Sequence, residues 1–347
     1  MSSDSTRPIR VALDAMGGDH APSVTVEGAV QAARATEGAV AVVLVGHEAD
    51  LRAELDAHDT EGLALDVLDA PQVIEMDEAP ATALKAKTGS SIHIGLGAHK
   101  QGHVDAFASA GNTGAVRAAA TFLLGRLPGV LRPALPGYFP TVDGMCICVD
   151  VGANVDVRSD LLVQFAKMGR VFARTALHTD QPSVALVNVG EEPGKGTEVV
   201  KETFQKLSAE EGIGFIGNIE GRDIFHHGAD VIVCDGFVGN VMLKLGESFS
   251  TILPKLLGQQ IQSLGLGGDV AEGMTAALRG VAGMFDYENY GGVPLLGVDG
   301  TAVIGHGGSS AKAIARMVTH AAELVRDGVT ARVAEAIARP SADPVSV

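Results

Sequence analysis

The chain has 347 residues, enough for one large domain or two of ordinary size with a sizeable core. Hydrophobic residues make up 46% of it and mean hydropathy is +0.22, so it should fold, whereas 4% aromatics and no Trp argue against a base-stacking platform for nucleic acid. A formal charge of −16 argues against broad binding to a phosphate backbone, but leaves room for a local seat for a small anion.

In chain order one unit recurs: an apolar, β-branched run, a loop of Gly, Asn or Asp, then an Ala/Leu-rich periodic segment. IRVALDAMGGD leads to VEGAVQAARA, AVVLVG to ADLRAELDAH, and DAFASAGNTG to AVRAAATFLLG. ICVDVGAN leads to DLLVQFAKMGRVFARTAL, and SVALVNVGEE to TEVVKETFQKLSAE. ADVIVCDGFVGN leads to VMLKLGESF, and TAVIGHGGSS to AKAIARMVTHAAELV. LALDVLDA and IGFIGNIEG are shorter strand candidates. This alternation predicts an α/β, Rossmann-like fold, a mostly parallel sheet with helices on both faces. Ligands then sit beyond the carboxyl ends of the strands, where nearly all the glycine loops fall, and those loops should converge on one crevice. With no linker-like stretch, a single domain is expected over residues 8–335, with disordered tails at 1–7 and 339–347. A helical excursion is expected at about 241–285. Its amphipathic stretch VMLKLGESFSTILPKLLGQQIQSLG should kink or restart at Pro254 and break at GLGGD, and it suits a dimer face or a core helix.

The three cysteines, Cys146, Cys148 and Cys234, lack the spacing of a zinc or redox motif and read as core residues of a reduced, cytoplasmic protein. MSSDSTRP lacks the apolar core of a signal peptide, and no apolar run reaches the ~18 residues of a membrane span. Histidines and carboxylates do not cluster at ligand spacing, so no metal is expected. VNVGEEPGKGTE fails as a P-loop: it is one residue short, Gly196 stands where a hydroxyl should follow the lysine, and Glu191 and Glu192 would repel a polyphosphate. GLGAHK fails as a dinucleotide fingerprint because it lies inside a helical stretch.

Several strand-end residues remain as site candidates. In SAGNTG, the glycines Gly111 and Gly114 would let an anion approach unpaired N–H groups at a helix start, with Ser109, Asn112 and Thr113 as added donors. Lys195, between two glycines, reads as a positioned cation or as an ordinary surface lysine. His306, in GHGGSSA, sits where a general acid/base or oxyanion donor would. Asn218 and Asn240 could hold a carbonyl or phosphate oxygen without adding charge. Asp14, Asp19, Asp150 and Asp235 lie near strand ends, where most such residues cap helices or order turns.

Together these loops resemble the bacterial phosphate acyltransferase family, the acyl-acyl-carrier-protein:phosphate transacylases of phospholipid synthesis. The matching stretches are LDAMGGDHAP, SAGNTGAVRAAA, LGRLPGVLRPAL, DVGANVD, VNVGEEPGKGTE, FIGNIEGRDIF, DVIVCDGFVGNVMLK, YGGVPLLGVDG and HGGSSAKAI, in order from about Ile9 to about Val325. Two stretches depart from the family's usual form, VRSD after DVGANVD and the extra small residue of GHGGSSA. The resemblance implies a homodimeric fold related to the isocitrate dehydrogenase and phosphotransacetylase group. It implies transfer of a long-chain acyl group from acyl-carrier protein to inorganic phosphate, with no cofactor beyond the carrier's own phosphopantetheine. It also implies a membrane glycerol-3-phosphate acyltransferase as consumer of the product, and a cytoplasmic protein peripherally associated with the membrane. On this reading phosphate is the nucleophile, seated on Ser109, Gly111, Asn112, Thr113 and Gly114. Lys195 and His306 handle charge and proton, Asn218 and Asn240 orient the thioester, and Asp14 and Asp235 order the surroundings. Arg126, Arg132, Lys244 and Lys255 are candidates for docking the acidic carrier. The alternatives are an NAD- and metal-dependent dehydrogenase on a related fold, or a non-enzymatic scaffold for lipid synthesis.

Overall fold

The alternation of apolar runs and periodic segments produces parallel strands with intervening helices, as expected. The computed structural model describes residues 7–338. The described residues gather into two compact units: one holds residues 7–135 and 290–338, the other residues 136–289. Neither crossing carries a linker-like sequence, which is why the chain reads as one domain. Of the two expected tails, residues 1–6 and 339–347 lie outside the described residues. Arg7 is part of the fold, forking onto both oxygens of Asp105 at 3.0 and 2.6 Å.

In the first unit the strands are β1 (Ile9–Asp14), β2 (Val40–Gly46), β3 (Leu65–Asp69), β4 (Ala106–Ser109), β10 (Val293–Pro294) and β11 (Ala302–Ile304). Their order is β10-β11-β4-β1-β2-β3, and all neighbours are parallel except the edge pair β10–β11. The helices are α1 (Ser23–Ala35), α2 (Glu48–Leu55), α3 (Pro80–Ala86), α4 (Ser91–Lys100), α5 (Thr113–Leu123), α10 (Ala311–Arg326) and α11 (Val329–Ala338). Helix α1 packs with α10, and α4 with α5, each pair against the sheet. Leu13, Leu44, Ile92, Leu96 and Phe107 are fully buried in this core. Close approach needs glycine at two points: a Cβ on Gly28 of α1 would lie 2.6 Å from Ile314, and one on Gly95 of α4 would lie 2.6 Å from Phe107.

The second unit has β5 (Pro136–Thr141), β6 (Gly144–Val149), β7 (Val184–Val187), β8 (Phe215–Ile219) and β9 (Val231–Val233), in the order β5-β6-β9-β7-β8. Its helices are α6 (Ser159–Ala176), α7 (Glu198–Ala209), α8 (Gly236–Ser263) and α9 (Gly268–Met284). Only β5 runs antiparallel, against β6. Strands β5 and β10 were not anticipated. Both contain proline, which cannot donate to a ladder, and both lie at a sheet edge, where that donor is not missed.

The excursion is a hairpin of α8 and α9, which pack on each other. The expected break falls at the GLGG stretch, with Gly265 and Gly268 at φ +65° and +59°. Pro254 opens no second helix. Helix α8 runs through it for 28 residues, because losing one backbone hydrogen bond is tolerated in so long an element. The core-helix reading fails: the residues α8 buries are three glycines, Gly236, Gly239 and Gly246, while Val241, Leu245, Ile252 and Leu256 stand exposed. Among the described residues no helix is long and apolar enough to cross a membrane.

The cysteines are free and buried, as the pattern indicates. Cys146 and Cys148 share one face of β6, and the Cys148 sulfur lies 3.5 Å from that of Cys234. Burial, with the nearby Asp230 charge, pushes the Cys146 thiol up to about 12, and the Cys234 contact and burial push Cys148 up as well. The nucleophilic thiolate is therefore scarce and shielded. A disulfide exchange reagent should leave the native protein unlabelled at neutral pH while modifying all three thiols in denaturant. Rapid native labelling would place a thiolate at the surface and contradict this core.

Candidate active site

The glycine loops follow eight parallel strands, four in each sheet. In the first unit, β11, β4 and β1 are adjacent, and Ile304 pairs with Ser109. Strand β1 ends in Asp14, which is buried. Its carboxylate accepts from the Ser109 hydroxyl at 2.6 Å and the Met16 N–H at 3.2 Å, with Ser91 and the Gly17 N–H adding support. Ser109 Oγ in turn accepts the Gly111 N–H at 3.0 Å. The two loops touch backbone to backbone: a Cβ on Gly17 would stand 2.4 Å from the Asp14 carboxylate and 2.8 Å from the Gly111 nitrogen. On the other side, the Gly305 N–H donates to the Ser109 carbonyl at 2.8 Å, and the Asp19 N–H to the Gly307 carbonyl at 2.8 Å. The loops bearing Asp14, SAGNTG and His306 thus form one connected set.

This set changes how the SAGNTG donors read. Asn112 caps α5, its Oδ1 accepting from the Ala115 N–H at 3.0 Å, while its Nδ2 donates to the carbonyls of Glu75, Met76 and Glu78 at 3.0–3.2 Å. Ser109 serves Asp14, and a Cβ on Gly114 would meet Pro80 at 2.6 Å. What the loop presents outward is the exposed Thr113 and the N–H groups of Thr113 and Gly114, which a helix start leaves without partners inside the helix. His306 is exposed, and its Nδ1 accepts the Gly308 N–H at 3.2 Å. In the neutral ring that places the proton on Nε2, as a donor.

In the second unit, β6, β9, β7 and β8 end side by side. Asp150, directly after β6, is fully buried. Its Oδ1 accepts from the N–H groups of Gly152 and Ala153 at 3.3 and 3.1 Å, and its Oδ2 from the Asn154 N–H and side-chain amide at 2.6 and 2.9 Å. The Asn154 carbonyl accepts the Gly236 N–H at 2.7 Å, docking this loop on the start of α8. There Asp235 is the helix cap, accepting the Val238 N–H at 2.8 Å. A Cβ on Gly239 would fall 1.9 Å from the Asp150 carbonyl oxygen, so only glycine fits. The exposed Asn240 lies over Gly152.

After β7 comes the loop with Lys195, whose side chain is exposed. Two amides hold this loop: Asn188 Nδ2 donates to the Lys195 carbonyl at 3.1 Å, and Asn218 Nδ2, from β8, to the carbonyls of Glu191 and Glu192 at 3.4 and 3.2 Å. Asn218 is buried, and its Oδ1 has no hydrogen-bond partner. Lys195 and Asn218 are therefore brought together, and so are Asp235 and Asn240 near Asp150. Asn188 and Ser91 were missed. Asn188 stands at a strand end like Asn218 and could have been found by that rule. Ser91 begins a helix far along the chain and gave no local signal. Of the docking candidates, Arg126 is tied to the carbonyls of Val130 and Leu131, and Lys244 to Glu247 at 2.8 Å.

Residues 9–332 match the family described as fatty acid synthesis protein. The chain is 48% identical over 334 residues to the phosphate acyltransferase of Salinibacter ruber, covering 96% of this chain and 99% of that one. It is 43% identical to that of Chlorobaculum parvum, covering 94% and 98%. The chain belongs to the phosphate acyltransferase family. It is an acyltransferase, and the motifs that suggested the family hold over nearly its whole length. Similar solved structures include a phosphotransacetylase from Streptococcus pyogenes, with TM-score 0.56, 16% identity and coverage of 96% and 95%. A branched-chain phosphotransacylase from Enterococcus faecalis matches with TM-score 0.56, 13% identity and coverage of 91% and 99%. Both share the α/β fold.

Burial raises the Asp14 pKa, with the hydrogen bonds from Ser109 and Ser91 opposing the rise. The folded state therefore holds the Asp14 proton more tightly than the unfolded chain does. That contribution to stability is full below the unfolded value and is lost as pH rises through the folded one. Asp14→Asn removes it, so the stability of wild type minus that of the variant should fall with rising pH across this window in denaturant titrations. A flat difference would mean that Asp14 ionises as freely in the fold as in the unfolded chain.

Proposed function

We propose that this acyltransferase moves a long-chain acyl group from the phosphopantetheine thioester of acyl-carrier protein to inorganic phosphate. The acyl phosphate product is then used by a membrane glycerol-3-phosphate acyltransferase. The match over nearly the whole chain to relatives named phosphate acyltransferase carries this reading. The loop chemistry supports it, because the loops offer charge, amides and helix N–H groups but no activated side-chain nucleophile. The three thiols are buried, those of Cys146 and Cys148 with raised pKa, and the buried Ser109 hydroxyl serves a carboxylate.

Phosphate then supplies the nucleophile. One of its oxygens attacks the thioester carbonyl carbon, and the carbonyl oxygen becomes an oxyanion. As that adduct collapses, the C–S bond breaks, the acyl C–O bond to phosphate remains, and the carrier's thiolate takes up a proton. The enzyme's task is position and electrostatics. The N–H groups of Thr113 and Gly114 seat the phosphate, on a loop shaped by Ser109, Gly111 and Asn112. Lys195 neutralises charge, and the Nε2–H of His306 donates to the oxyanion or the leaving sulfur. Asn240 orients the carbonyl. Asn218 acts through the Lys195 loop that it straps down, and Asp14 and Asp235 order their loops. On this reading no nucleotide or metal takes part. The same reading takes the protein as a homodimer working in the cytoplasm beside the membrane. The exposed Leu245, Ile252 and Leu256 of α8, with Val270 and Val281 of α9, favour a covering partner.

Acyl-carrier protein with phosphate should yield a product that hydroxylamine traps as a hydroxamate, without nucleotide and undiminished by EDTA. Full loss on chelation would overturn the metal-free mechanism. Lys195→Ala should lower turnover roughly 100–1,000-fold, the usual effect of deleting one preorganised oxyanion donor, with an unchanged melting curve. A variant within a few-fold of wild type would make Lys195 an ordinary surface lysine.

A further inference from the structure

Just past three adjacent strand ends of the second unit, one large apolar side chain each stands in solvent. After β6 it is Val155, 64% exposed; after β9 it is Phe237, 62% exposed; after β7 it is Val189, 81% exposed. Strands β6, β9 and β7 are neighbours, with Leu186 of β7 paired to Val233 of β9. Val155 and Phe237 directly follow Asn154 and Gly236, whose backbones hydrogen-bond at 2.7 Å. The same segments carry Asn240, Asn188 and Lys195.

None of the three side chains fills the core and none lies in a strand, so neither packing nor strand propensity accounts for it. Isolated exposed apolar residues are ordinary, but three on consecutive strand ends beside a polar site form a patch. An acyl donor has matching chemistry: a polar thioester carbonyl with a methylene chain attached. We propose that Val155, Phe237 and Val189 form the apolar rim that receives the acyl chain of the donor and so set the preference for chain length. The inference rests on the proposed acyl transfer to phosphate and extends it to the residues that recognise the chain. With the carbonyl held by the polar groups of these loops, the first methylenes leave over the rim, and each methylene taken from water strengthens binding.

The test uses the full-length protein with phosphate and acetyl-, octanoyl- or palmitoyl-pantetheine, comparing wild type with Phe237→Ser, Val189→Ser and Val155→Ser. Each substitution is at an exposed position and should leave the melting temperature nearly unchanged. Phe237→Ser should raise KM for the octanoyl and palmitoyl donors on the order of tenfold, and the valine variants several-fold. KM for the acetyl donor and for phosphate should stay within about twofold of wild type. Equal losses at all chain lengths, or no change at any, would overturn the rim. A change in oligomeric state by light scattering, with equal losses for every donor, would make the patch a subunit contact and also overturn it. If wild type makes no acyl phosphate from any donor, acyl-acyl-carrier protein included, the acyl-transfer reading itself fails and the rim with it. If wild type is active but the variants do not discriminate, the rim alone fails.

Discussion

A carboxylate removed from water must find hydrogen-bond donors, and both sheets of this protein place one at a strand end. Asp14 closes β1 and Asp150 follows β6, and each is almost completely buried. Each finds its donors in the strand-end loops, Asp14 partly in a neighbouring one and Asp150 in its own, so satisfying the charge gives those loops their shape. Asp14 reaches across to Ser109 of β4, whose hydroxyl oxygen then receives the Gly111 N–H. Asp150 gathers the backbone of its own loop through Asn154, and the Asn154 carbonyl then meets the start of α8. Removing either carboxylate would leave several N–H or O–H groups unpaired in a dry interior, which is costlier than the loss of any one hydrogen bond.

Close backbone contact follows from this arrangement. Gly17 lies against Gly111, and Gly239 against the Asp150 carbonyl, at separations that leave no room for a Cβ. The high glycine content is thus partly a packing requirement at the strand ends, beyond the flexibility usually credited to such loops. A loop held this way is preorganised. Its backbone N–H groups at a helix start are held at a fixed place. The Lys195 loop is the most exposed example. It is strapped by two amides from adjacent strands, Asn188 and Asn218, whose donors go to its carbonyls.

The α8–α9 hairpin follows another rule. Elsewhere helices bury an apolar stripe on a sheet, whereas α8 buries only glycines at its first turns and leaves Leu245, Ile252 and Leu256 outward. Its first turn belongs to the strand-end loops, through the Asp235 cap and the fit of Gly239. The rest of its length extends past the sheet and packs on α9. One helix thereby joins a terminus built into the strand-end loops to an apolar outer surface.

What the sequence determined by itself is local. Alternating apolar and periodic runs marked the parallel strands and their helices, since side-chain period follows directly from backbone geometry. Aspartates near strand ends read as caps or turn residues, and Asp235 serves as a cap. C-x-C on a strand placed Cys146 and Cys148 on one face. The order of motifs identified the family. Only the tertiary structure decided which polar groups were already spent. Ser109 donates to a carboxylate 95 residues away, and Asn112 to carbonyls 34 to 37 residues away. Asn218, read as a holder of a carbonyl or phosphate oxygen, gives its amide hydrogens to the loop that carries Lys195. The division of the strands between two sheets, and the two proline-bearing edges, were equally out of reach. Pairing partners so distant in sequence leave no periodic trace, because their choice depends on which surfaces meet once the chain has folded.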